Sequence, residues 1–228
     1  MISPILKLKD TINIAESNKY QSLSHEILLT GCNGDLTKFP DTWDVKAKMD
    51  CYNNSGQVLM LEAFWESLQS ALNHIFILDS YFLNPETPRN INKAVMIENR
   101  VSVVQDKLAD ACTNGKSGLK IKILTDSPYT NDIVEEQKML NDFSAIEEMT
   151  QEHTSQGQTG VELSICLELT RKFNYIHDRF AIIDNELWHF GGTVGGFNSK
   201  LSVASRGWDA ESLGAIRFFN EVWQTCNR

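Results

Sequence analysis

The sequence predicts an α/β fold, a layered domain with a mixed central sheet flanked by helices over residues 41–228 and an appendage over residues 1–40. Two observations point to it. Short segments of alternating or uninterrupted apolar residues recur along the chain, with segments of three-and-four apolar spacing set between the first of them. Turns rich in Gly, Asn, Asp and Ser separate the two kinds.

In chain order, residues 43–52 alternate apolar and polar side chains, as a half-buried strand does. Asn53, Asn54, Ser55 and Gly56 then turn the chain and offer a helix cap. Val58, Leu61, Trp65, Leu68 and Leu72 recur at three and four and mark a helix with one apolar stripe. Residues 74–82 form a short apolar run, read as a buried strand carrying Asp79 at its end. Ile97, Val101, Val104, Leu108 and Ala111 mark a second helix, which stops in a Gly-rich turn at residues 114–118. Residues 119–124 are a strand ending in Thr125, Asp126, Ser127 and Pro128. An acidic helix over residues 131–152 follows, and its charges read as a solvated face. A polar linker leads to a strand at 161–169 and another at 173–184. A tight turn through Asp184, Asn185 and Glu186 then gives residues 187–190 as a hairpin partner. An amphipathic helix over 210–224 closes the chain.

Composition narrows the function. The 228 residues carry a net charge of −9, so little electrostatic affinity is available for extended contact with a nucleic-acid duplex. No apolar run reaches the ~18 residues of a membrane span, and the first residues lack a signal-peptide core, so a cytoplasmic location is expected. The five cysteines are scattered, with no C-x-x-C pair and an odd total, which argues against a disulfide framework and a zinc site. His153 and His189 likewise have no metal-ligand spacing, and no metal or other cofactor is expected.

The chemistry concentrates in residues 173–196. On a strand, His177 and Arg179 face one way and Asp178 the other. Asp184 follows, and then Gly191, Gly192 and Thr193 before Gly195 and Gly196. A histidine, a cation and glycines that allow close backbone approach together suit a phosphate. In open sheets ligands collect beyond the carboxyl ends of strands. Three strand ends carry polar groups here: Asp79 with Tyr81, Thr125 with Asp126, and the glycine turn. They converge on one cleft or, for the aspartates, merely cap turns.

The pattern His177-x-Arg179-x4-Asp184-x6-Gly191 resembles the signature of the phospholipase D-like superfamily, His-x-Lys-x4-Asp-x6-Gly-Ser-x-Asn, and is most similar to its His-Asp-Arg branch. Asp79-Ser80-Tyr81 resembles the Asp-Pro-Tyr of that branch. The resemblance implies one copy of the phospholipase D-like fold and metal-independent phosphodiester cleavage through a phosphohistidine. It makes His177 the nucleophile, Arg179 the phosphate clamp and Asp184 the motif carboxylate. Gly191, Gly192, Thr193, Asn198, Lys200, Asp79 and Tyr81 become substrate contacts. The substrate is a phosphodiester, with nucleic acid favoured over phospholipid. The family's reaction uses two histidines and the chain has one motif copy, so a homodimer is expected. Gly192 and Val194 stand where the family has Ser and Asn. This leaves a second reading open, a phosphate-, phosphoinositide- or nucleic-acid-binding module without turnover, working with partner proteins in a larger assembly.

Overall fold

The computed structural model of the protein describes residues 25–30, 61–83, 118–127, 161–196 and 200–226 as continuous stretches, with isolated helical positions within 43–47 and 137–155. Seven strands are described: β1 (Glu26–Thr30), β2 (His74–Leu78), β3 (Lys120–Leu124), β4 (Glu162–Cys166), β5 (Phe180–Ile183), β6 (Glu186–Phe190) and β7 (Ser202–Asp209). Three helices accompany them within the continuous described stretches: α1 (Glu62–Ser70), α2 (Leu169–Lys172) and α3 (Ala215–Cys226). One sheet takes all seven strands in the order β1-β7-β6-β5-β2-β3-β4.

The sheet is mixed, as expected. β2, β3 and β4 run parallel, and β2 pairs antiparallel with β5, the first of the antiparallel half. The period-two alternation of β2 and β5 divides the core between two faces. Ile75, Ile77, Ala181 and Ile183 pack with Phe64 and Leu68 of α1, whereas Phe76, Leu78, Phe180 and Ile182 pack with Phe219 and Val222 of α3. Phe76 and Phe219 stack with centroids 4.7 Å apart, so α3 is held against the sheet by ring-on-ring contact. Helix, sheet and helix therefore form three layers. No helix among the described residues is long and apolar enough to cross a membrane.

Several elements differ from the expectation. Trp43, Lys46 and Ala47 are helical, not extended. Val45, Met49 and Tyr52 also fit a spacing of four and three, so periodicity alone does not separate the two states there. Of the expected stripe, Leu61 and Leu68 are buried and Trp65 half-buried, while Phe64, which the spacing does not mark, is buried as well; the helix ends at Ser70 and leaves Leu72 exposed. The strand expected at 74–82 stops at Leu78, because Asp79 turns the chain and accepts from the Tyr81 N–H at 2.8 Å. The strand expected at 173–184 begins only at Phe180, after α2 and a turn. The closing helix starts at Ala215, since Gly214 has a positive φ of 73° that ends the preceding turn. Two strands were not anticipated, β7 and β1. The latter lies within the expected appendage yet forms one edge of the described sheet, with Leu28 opposite Ala204. The helix marked by Ile97 to Ala111 and the turn at 53–56 lie outside the described residues. The described positions of the acidic helix are helical and exposed, as a solvated face requires.

Candidate phosphodiester site

Topology gathers the motif at one end of the sheet. β5 runs antiparallel to β2 with Phe180 opposite Leu78, so residues entering β5 lie beside those leaving β2. β6 returns antiparallel to β5 and delivers Gly191 to the same end, where the Gly191 N–H donates to the Val203 carbonyl at 2.8 Å. The carboxyl ends of β2 and β6 and the entrances to β5 and β7 thus border one region.

Asp79 organises it. The residue is fully buried, and its carboxylate accepts from the Val194 N–H at 2.9 Å and the Tyr81 N–H at 2.8 Å. The Arg179 Nε lies 3.8 Å from the same carboxylate, and the guanidinium carbon sits 4.5 Å from the centroid of the Tyr81 ring. A buried carboxylate is stable only when its lone pairs are occupied, and these contacts occupy them. Arg179 is thereby fixed in direction, with its Nε side turned to Asp79. Asp79 is a support beneath Arg179 rather than part of the cavity wall.

A cavity of about 300 Å³ opens above this support, lined by Tyr81, Arg179, the Gly191–Thr193 turn, Lys200, Leu201 and Ser202. Its described lining holds two cations and no carboxylate. Gly191 is required by proximity: a Cβ there would stand 3.3 Å from both Ser202 Oγ and the Val203 carbonyl oxygen. Gly195 and Gly196 are required by conformation, with φ of 90° and 80°, and close the turn behind the cavity. Thr193 is buried at the cavity wall, while Lys200 is exposed at its mouth.

The other expected residues fall in different places. His177 is exposed, two residues before Arg179, and lies outside the cavity lining. Asn198 lies outside the described residues. Asp184 sits at the opposite end of β5, on the order of 16 Å along the strand from Arg179. Its carboxylate accepts from the backbone N–H groups of Leu72, Asn73 and His74, at 3.0, 2.6 and 3.1 Å, and so anchors the entrance to β2. Asp126 accepts from the Thr170 N–H at 2.7 Å and from the Thr170 hydroxyl, which caps α2. The end of β3 therefore contributes a cap and does not join the cavity. Among the histidines, burial of His74 against Phe76 lowers its pKa below the usual 6.5, opposed by the Asp184 carboxylate. Leu201 and Ser202 are lining residues that no sequence signal marked.

No protein-family model and no curated protein matches the chain. Among solved structures, TrmBL2, an archaeal chromatin protein with a novel mode of DNA binding, is similar at 14% identity and a TM-score of 0.37. A phosphatidylserine synthase of Haemophilus influenzae Rd KW20 is similar at 10% identity and a TM-score of 0.43. The matches take in 92% and 91% of this chain but only 55% and 40% of those proteins.

Proposed function

We propose that the protein recognises a phosphodiester at this cavity and cleaves it without a metal, as a phospholipase D-like protein whose nucleophile is His177, the exposed residue two positions before Arg179 and outside the described lining. The observation that carries this reading is the charge of the lining: in a chain of net charge −9, the described lining holds Arg179 and Lys200 and no acidic residue, the Asp79 carboxylate lying buried beneath Arg179. Such a pair offsets the charge on non-bridging phosphate oxygens, and the glycine turn lets the backbone come close. The His177 imidazole forms a nitrogen–phosphorus bond as the phosphorus–oxygen bond to the leaving group breaks. A second histidine protonates that oxygen, and water then hydrolyses the phosphohistidine. The second histidine comes from His177 of a symmetric partner chain, because an isologous dimer sets one patch against itself. Asp184 serves this site from a distance, by fixing the far end of β5.

Turnover of a generic phosphodiester in the presence of EDTA, compared between the native protein and His177→Ala, tests the proposal. The native rate should exceed that of the variant; equal background rates overturn the enzymatic reading. Mixing native and His177→Ala chains should depress activity more than dilution does if the site is shared. Activity proportional to native subunits refutes the dimeric site. The second reading, binding without turnover, is favoured by Val194, which is fully buried where the family carries Asn and whose N–H is committed to Asp79.

A further inference from the structure

The segment that presents His177 and Arg179 reaches β5 from outside the sheet ladder. Residues 176–178 have no strand pairing, and the nearest upstream backbone bond is the Ile176 N–H to the Phe173 carbonyl at 3.0 Å. Something must nevertheless hold this stretch in the alternation that puts Arg179 over Asp79. Two bonds fix the backbone of Arg179: its N–H donates to the Asp178 carboxylate at 3.2 Å, and its carbonyl accepts from the Phe190 N–H at 2.9 Å. The same Asp178 oxygen is hydrogen-bonded to Nε2 of His189 on β6. His189 is the cross-strand partner of Phe180, the first residue of β5. Asp178 and His189 meet on the sheet face opposite the cavity, since Arg179 occupies the alternate position and turns to Asp79.

We propose that His189 is a positioning residue for the phosphodiester site, acting through Asp178 to hold residues 177–179 in the extended geometry that aims Arg179 into the cavity. The inference rests on the assignment of the cavity as a phosphate site. Asp178 and His189 are both largely exposed, at 61% and 47% of their side chains, so the bond adds little to global stability. Its effect is local: it removes backbone freedom from an unpaired segment that otherwise must be ordered when the ligand binds. Neither Asp178 nor His189 lines the cavity, so the bond reaches it only through the backbone it fixes.

The affinity for dimethyl phosphate, a small phosphodiester followed by 31P NMR, tests the role in native protein and in Arg179→Ala, His189→Ala, His189→Gln and Asp178→Ala. His189→Ala and Asp178→Ala should each weaken binding about three- to tenfold, the scale of ordering one segment on binding. His189→Gln, whose amide also donates to the Asp178 carboxylate, should recover at least half of the loss. Thermal midpoints should stay within a few degrees of native. Native affinity in His189→Ala, with binding lost in Arg179→Ala, refutes the positioning role and leaves the phosphate site standing. Unchanged affinity in Arg179→Ala, or no binding by the native protein, refutes the site and the inference together. A large fall in midpoint for His189→Ala that Gln does not reverse assigns the residue to folding and overturns the proposal.

Discussion

Replacing Asp79 with Ala tests the support beneath the candidate site. The substitution removes the acceptor of two backbone N–H groups and the counter-charge of Arg179 at once. The Val194 N–H lies in fully buried surroundings, and leaving it unpaired costs about 1–3 kcal/mol. The Tyr81 N–H is only part-buried and regains water, so its loss adds about 0.5 kcal/mol, the low end for a net hydrogen bond. Arg179 remains 27% exposed and sits 3.8 Å from the carboxylate, a long contact that screening weakens to about 0.5–1 kcal/mol. The sum is about 3 kcal/mol of lost stability, read from urea denaturation at neutral pH. Phosphodiester affinity should fall as well, because the guanidinium is then free to swing away from the cavity. A loss below about 1 kcal/mol with ligand binding intact would refute the claim that Asp79 organises the site.

His74 predicts a pH dependence. Burial lowers its folded-state pKa below the unfolded 6.5, so the unfolded chain binds the extra proton first, and stability present above about pH 6.5 is lost as the pH falls below it. Thermal midpoints measured from about pH 7.5 to 5 should fall less steeply for His74→Phe than for the native protein; parallel slopes would refute the assignment. Gly191→Ala should push Ser202 and the Val203 carbonyl by a few tenths of an ångström, costing about 1–2 kcal/mol and narrowing the cavity. Denaturation midpoint and dimethyl phosphate affinity should both drop, and native values for both would show that the turn yields without cost. Asp184→Ala should destabilise the fold by about 1–3 kcal/mol through the N–H groups of residues 72–74. If activity falls with stability unchanged, Asp184 acts at the site instead.

Legibility of the sequence followed the strength of local signals. β2 and β5 are near-continuous apolar runs buried on both faces, and β3 alternates Lys120 and Lys122 with Ile121 and Ile123; both patterns announce a strand wherever they sit. β7 was hidden because Ser202–Asp209 mixes small and charged residues around Gly207, features that read as a loop; its strand state comes from pairing with β1 and β6 on either side. The helical state at Trp43, Lys46 and Ala47 was lost to a pattern that fits both periods. At the site, Arg179 and the glycine turn were legible as cavity residues, whereas the alternation expected to set His177 beside Arg179 applies to a strand that starts only at Phe180, and His177 lies outside the described lining. The contact of Asp79 with Arg179 joins residues a hundred positions apart and depends on the antiparallel pairing of β2 with β5. The bond of His189 to Asp178 likewise appears only once the hairpin register is known.

The placement of Asp184 gives the spacing of the motif a mechanical meaning. Arg179 and Asp184 bracket a strand of four residues that crosses the centre of the sheet, one end at the cavity and the other locked to the start of β2. The interval between them works as a ruler cut to the width of the sheet. Adding or removing one residue within β5 would carry its side chains to the wrong faces, sending Ala181 and Ile183 toward α3 and Phe180 and Ile182 toward α1. Substitutions inside the interval are then tolerated as long as they stay apolar, whereas a change in its length is not. The number of residues between cation and carboxylate is thus set by how far the chain must travel, independently of any contact the two side chains make with each other.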